Sequence, residues 1–232
     1  MKQTIRALAL GALAALSACG AVHVRPRPVL PRALIVPLPA RVALVVPKDV
    51  RSYAHKETRW GVDWDVDLGT GHRRLLHDLF AAAFAEVLEA PDLEAARKLQ
   101  GIKAIIEPHI DQFSFSTSRE TGRYYAVTIR YRIDVFTPAA ELSDTYGLTG
   151  YGSCLAEGLS AGVPLETATA AAMRDAAAKF LVQFPELAAG RHLAHDEALA
   201  LEKPPLDASE IAAVPIDETE SVATAVSEPP PH

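Results

Sequence analysis

The chain has only two cysteines in 232 residues, Cys19 and Cys154. One pair this far apart in sequence is no disulfide framework. Also missing is any apolar run of about twenty residues, the length a membrane-spanning helix requires. Positive charge is not in excess, since the formal net charge is −6, and no basic patch suggests a nucleic-acid footprint. There is no internal repeat, no phosphate-binding Walker loop and no dinucleotide fingerprint. These gaps argue against a disulfide scaffold, a helical membrane protein and a nucleotide enzyme, and no cofactor is expected.

The acidity is unevenly spread. From Arg191 onward there are two basic and nine acidic residues, a balance of −7. Paired prolines and the ending Glu228-Pro229-Pro230-Pro231-His232 join that charge, so 191–232 reads as a disordered acidic tail, after a single helical turn at most. Without this tail and without residues 1–18 the remainder is close to neutral.

The N-terminus is patterned differently. Lys2 and Arg6 precede the apolar stretch Ala7 to Leu16, and small residues follow at Ser17 and Ala18. A basic start, a short apolar middle and small residues before a cut form a secretory signal. Leu16-Ser17-Ala18-Cys19 resembles the lipobox of bacterial lipoproteins. The resemblance implies that the Cys19 thiol takes the lipid, that the leader 1–18 is removed, and that the chain is held in a membrane by its acyl groups. Each buried methylene contributes roughly 0.8 kcal/mol to such an anchor. Gly20 stands where inner-membrane members of that class often carry Asp, which implies the outer membrane and its periplasmic face. Processing leaves 214 of the 232 residues, enough for one domain with tails. In an oxidising compartment, a Cys154 left alone is expected to be buried and inert.

Five prolines lie between residues 20 and 40 (Pro26, Pro28, Pro31, Pro37 and Pro39). This density excludes helix and favours an extended spacer over 19–40, lifting the domain off the bilayer. Arg25, Arg27 and Arg32 along it are expected to be solvated. The domain itself is expected over 41–190. Val42 to Val46 reads as a fully covered strand. Trp60, Val62, Trp64, Val66 and Leu68 alternate with polar residues, the mark of a half-buried strand. Leu75, Leu76, Leu79, Phe80, Ala83, Phe84, Val87 and Leu88 form one helical stripe, which Pro91 ends. Three strands then follow with short links: Ile102 to Phe115, interrupted at Glu107-Pro108; Tyr125 to Val135, the strictest alternation in the chain; and Thr145 to Leu155, thinned by Gly147, Gly150 and Gly152. A last helix begins at Pro164 and ends at Pro185, with an Ala-rich stripe suited to close approach to a sheet. The expected fold is α+β, a mainly antiparallel sheet of about five strands with two helices on one face. In order of elements, 41–186 resembles small periplasmic lipoprotein domains: the LPS-assembly outer-membrane lipoprotein, YajG-like lipoproteins and the N-terminal domain of the Tol translocation protein. The resemblance implies binding to other envelope components and supplies no catalytic residue.

The remaining candidates are weaker. Gly158-Leu159-Ser160-Ala161-Gly162 matches the G-x-S-x-G elbow of serine hydrolases between a strand and a helix, but its base would have to be His192 or His195, with Asp175 or Asp196 as the orienting acid. Asp63, Asp65 and Asp67 share a strand face yet lack the glycine and glutamate of a calcium loop. His72 and His77 diverge around their helix, and no metal site is expected. Phe113, Phe115, Tyr124, Tyr125 and Tyr131 crowd one hairpin; those facing outward could form a partner patch. Arg130 and Arg132 alternate outward beside them and are the expected partner-binding residues, through the polar face or a free edge of 102–155. The function expected is that of a binding or envelope-assembly accessory. The alternatives are an accessory subunit of a lipid or polysaccharide export machine, and a lipid-anchored serine hydrolase using Ser160.

Overall fold

The computed structural model describes residues 21–32, 34–157 and 160–201. The leader, Cys19 and the tail beyond Leu201 lie outside the described residues.

The expected α+β architecture is present, with additions. Its main body is a five-stranded sheet in the order β5-β2-β6-β7-β8. The strands are β2 (Leu38–Val45), β5 (Phe84–Ala90), β6 (Ala104–Ser116), β7 (Tyr124–Phe136) and β8 (Leu142–Leu155). β6, β7 and β8 form the antiparallel meander read from their alternation, with a bulge between Ile110 and Gln112. β2 is parallel to both its neighbours. Pro108 lies past the last β2–β6 pairing, at Leu44↔Ile106, and opposite Ile133. The missing donor at Pro108 therefore marks where β2 leaves β6, not a sheet edge.

Two long helices cover one face, α2 (Gly69–Ala83) and α5 (Gly162–Gln183), while α1 (Lys48–Arg51) and α4 (Ser118–Thr121) are single turns. Between them and the sheet lies the core, whose centre is aromatic: Phe80, Phe84, Phe180 and Phe184 are each at most 1% exposed. The Phe80 and Phe180 rings meet edge-on at 5.2 Å and those of Phe180 and Phe184 stack at 4.7 Å. The alanines of α5 match the glycines of β8. A Cβ on Gly150 would run into the Ala172 carbonyl, and one on Gly152 into that of Ala168. Glycine is what lets helix and strand approach this closely. A smaller cluster on the other face, Ala43, Val45, Ala96, Ile102 and Ile105, is covered by α3 (Leu93–Ala96).

Three strands depart from the sequence reading. The helical stripe expected through Leu88 stops at Ala83, and Phe84 turns to extended geometry (φ −127°, ψ 152°) to begin β5. Phe-Ala-Glu-Val-Leu-Glu-Ala fits either period, and parallel pairing with β2 decides it. The second departure is β3 (Ala54–Arg59), which pairs with β4 (Val62–Asp67) as a hairpin. Its AHKETR sequence has no apolar alternation. Trp60, expected within the strand, instead occupies the turn.

The third is β1 (Val22–Val24), parallel to β4, which completes a separate sheet in the order β1-β4-β3. Residues 22–30 of the stretch expected as a free spacer lie on the domain, with Val24, Pro26 and Pro28 buried and His23, Arg25, Arg27 and Val29 exposed, whereas Leu34 and Val36 stand out from it. Proline-rich chain is extended, and an extended chain can bury every second residue. The expected boundary at 41 likewise falls inside β2.

At the other end, α6 (Ala188–Ala194) follows a single 3-10 turn, Phe184–Glu186. Leu193 (0% exposed) and Leu199 (6%) are buried in the main core, and the Leu199 amide donates to the Lys103 carbonyl at 2.9 Å. Residues 191–201, expected as part of the tail, are part of the packed domain.

Candidate functional site

The face of the β6–β8 meander opposite the helices is polar. Alternation puts Tyr125, Val127, Ile129, Tyr131, Ile133 and Val135 against the core and sends Thr128, Arg130, Arg132 and Asp134 to the other side. Arg130 is exposed and, among the described residues, forms no ion pair. Arg132 is held by Asp134 and, at 3.4 Å, by Asp111. The Asp134 hydrogen bond is the main reason its pKa is raised.

Asp134 is itself 7% exposed and organises the inner part of this face. Thr145 Oγ1 donates to it at 3.0 Å, and His109 Nε2 lies 3.3 Å from Asp134 and 3.0 Å from Glu107. Burial, followed by the opposing effects of His109 and Asp134, leaves the Glu107 carboxyl above its usual range. Arg130 and Arg132 follow from simple alternation along β7. The sequence offered no sign that Glu107 and His109, two apart on β6, would meet Asp134 from β7.

β6 and β7 are interior strands, so a free edge of 102–155 can lie only on β8. The meander's edge is β8, and α5 occupies part of it. The Tyr151 amide donates to Asp175 at 2.8 Å and Lys179 Nζ donates to the Thr149 carbonyl at 2.8 Å. Tyr146 and Gln183 are joined by their side chains. Burial would raise the Asp175 carboxyl, but bonds from Lys179 and the Tyr151 amide outweigh it and the pKa is lowered. Outward ladder groups are what another strand would pair with, and here side chains of α5 take two of them.

The other candidates are drawn apart. Ser160 Oγ accepts from the Val163 amide at 3.5 Å, at the entrance to α5. Among the described residues no histidine hydrogen-bonds it: His192 pairs with Glu197 at 2.9 Å and His195 donates to the Arg191 carbonyl at 2.8 Å. Asp175, suggested as an orienting acid, serves β8. The strand acids also have separate partners: Thr58 for Asp63, His23 and Lys56 for Asp65, Thr70 for Asp67. No metal-binding grouping of His, Cys, Asp and Glu occurs among the described residues. Cys154 is half-buried and has a free thiol. Of the crowded aromatics, Phe113, Phe115, Tyr125 and Tyr131 are core, and Tyr124 is 45% exposed.

His72 lies wholly buried. The Leu68 carbonyl, 2.9 Å from Nδ1, can only accept, so Nδ1 carries the proton. Nε2 then accepts the Tyr131 hydroxyl at 2.6 Å. Burial holds the His72 pKa down at about 4 and pushes the Tyr131 phenol up. A neutral, fully paired histidine of this kind joins α2 to β7 and serves the fold.

No family model and no curated protein matches the chain. Among solved structures it is similar to a DUF330 protein from Xanthomonas campestris, at 13% identity over 74% of this chain and 94% of that one, with a TM-score of 0.42. A hypothetical protein from Chlamydia trachomatis has 12% identity over 63% and 95%, with a TM-score of 0.41. A minor lipoprotein from Acinetobacter baumannii has 9% identity over 64% and 92%, with a TM-score of 0.35. These likenesses assign no role to any residue.

Proposed function

We propose that the chain is an envelope lipoprotein, anchored through acylated Cys19 in the outer membrane on its periplasmic side, and that it works by binding another envelope component. The observation that carries the reading is Leu16-Ser17-Ala18-Cys19 behind a short basic-apolar leader. Among the described residues no helix is long and apolar enough to cross a membrane, so the lipid would be what holds this domain at a bilayer. Partner contact is assigned to the polar face around Arg130 and Arg132. A guanidinium without an ion pair is available to an acidic partner, and its neighbour is already held in position by two carboxylates.

Two experiments test the two halves. Cys19→Ala should abolish labelling by a fatty-acid probe and leave unprocessed precursor; a variant that still labels and matures would refute the anchor. Arg130→Glu with Arg132→Glu should weaken recovery of the cross-linked partner from native membranes, with near-UV circular dichroism unchanged. At exposed Arg130 such a change usually costs under about 0.5 kcal/mol in stability; at Arg132 it also removes the partner of buried Asp134 and costs more, so Arg130→Glu alone is run beside the double variant. Unaltered recovery would place the contact elsewhere.

A further inference from the structure

The three-stranded sheet has an end that its core does not explain. Trp60 and Gly61 form the two-residue turn between β3 and β4, and both have positive φ, 54° and 74°. Asn or Gly suits such a position, whereas a bulky side chain there is strained. Trp60 gains nothing from burial in return, being 59% exposed. An outlier of this kind directs attention to what the side chain meets outside the molecule.

The register of β1 tells which end of the domain this is. Val22 lies opposite Trp64 and the two strands run parallel, so β1 begins at the end of the sheet that carries the Trp60–Gly61 turn. Cys19 is three residues before Val22, a reach of about 10 Å at most. The turn lies a comparable distance beyond Trp64, two strand residues and the turn itself, at about 3.3 Å each. Three residues are long enough to bring the anchor to the level of the tryptophan.

Other groups at this end are of the same character. Arg59, beside the turn, donates to the Phe115 carbonyl and pairs with Glu120 at 3.1 Å, which brings the β6–β7 connection alongside. That connection presents Tyr124, 45% exposed, next to Arg119 and Arg123, which have no ion pair among the described residues. Leu155, opposite Tyr124, is 39% exposed. Amphipathic aromatics with cations at their margin suit the headgroup layer of a bilayer.

We infer that this end of the domain, with Trp60 at its tip, rests in the headgroup region of the bilayer that holds the lipid, an inference that depends on the Cys19 anchor. The domain is then seated directly on the membrane, with no spacer between them.

The mature acylated chain in phosphatidylethanolamine–phosphatidylglycerol vesicles tests it. Trp64, 4% exposed among Phe115 and Tyr125, gives a constant background, so changes in emission report Trp60. On insertion the emission should shift to the blue, lose acrylamide quenching and gain quenching by lipids brominated along the acyl chain. Trp60→Asn, with a residue suited to the turn, should fold, float with the vesicles and show none of these changes. Vesicle-bound protein whose Trp60 remains open to acrylamide and insensitive to brominated lipid overturns the inference while leaving the anchor intact. Loss of the acyl label itself overturns both, and labelling reports that separately.

Discussion

At the residue scale, His72 makes the clearest pH prediction. Its pKa is about 4 in the folded chain against about 6.5 for an unhindered histidine. The unfolded chain therefore takes up the proton first as pH falls. The stability associated with neutral His72 is complete above about pH 6.5 and is progressively lost as pH drops towards 4, by about 3 kcal/mol in all. Urea melts at pH 7, 5.5 and 4.5 should show this loss, and His72→Gln should be less stable at pH 7 but flatter across the same window. Equal slopes would assign the acid sensitivity to carboxylates instead. The pairing behind the shift is invisible in sequence, because Tyr131 lies far along the chain from His72 and the stripe containing His72 reads as ordinary helix.

Among elements, legibility followed periodicity. β7 and α5 could be read because each keeps a single period and one buried face. β3 could not, because its polar residues alternate only in exposure and its partner is a turn away through Trp-Gly, a poor hairpin signal. β5 was hidden by a stripe that suits helix and strand equally. The glycines of β8 were visible as a thinning of the strand, and the α5 alanines as a closely packing face. Their meeting supplies a test. Gly152→Ala must push the Ala168 backbone aside and should cost about 2 kcal/mol, in the range of overpacked sites. Gly147→Ala has open space around its Cβ and should be neutral or slightly stabilising. Thermal melts of the pair decide it, and equal losses would mean that glycine matters in β8 for reasons other than helix contact.

For the whole molecule, each of the two segments that composition marks as tails has a part in the fold, residues 22–30 and 191–201. Composition marks them so because proline density and acidity are averages over a window, whereas burial is settled by single residues such as Pro26, Leu193 and Leu199. Truncation after Leu201 keeps these contacts, and truncation after Gly190 removes both leucines. The shorter chain should be less stable by about 3 kcal/mol or more, given roughly 1.5–3 kcal/mol for each buried leucine. Equal melting temperatures for the two truncations would show that Leu193 and Leu199 contribute little. Of the candidate site, only Arg130 and Arg132 could be read from sequence, since outward alternation is a local property. The cluster of Glu107, His109 and Asp134 depends on register across strands, which no single strand encodes.

The place of β2 between two strands that follow it in sequence has a consequence for the order of folding. Val42-Ala43-Leu44-Val45-Val46 is among the first structured segments of the chain to be synthesised, yet both strands that pair with β2, β5 from Phe84 and β6 from Ala104, follow later. As the chain emerges N-terminus first, this apolar ribbon is without a neighbour on either side, in the form most prone to associate with other chains. The meander and α5, by contrast, can close on themselves through local connections. A chain built in this order should depend on a holding chaperone early in synthesis and cease to need one once residue 106 has emerged.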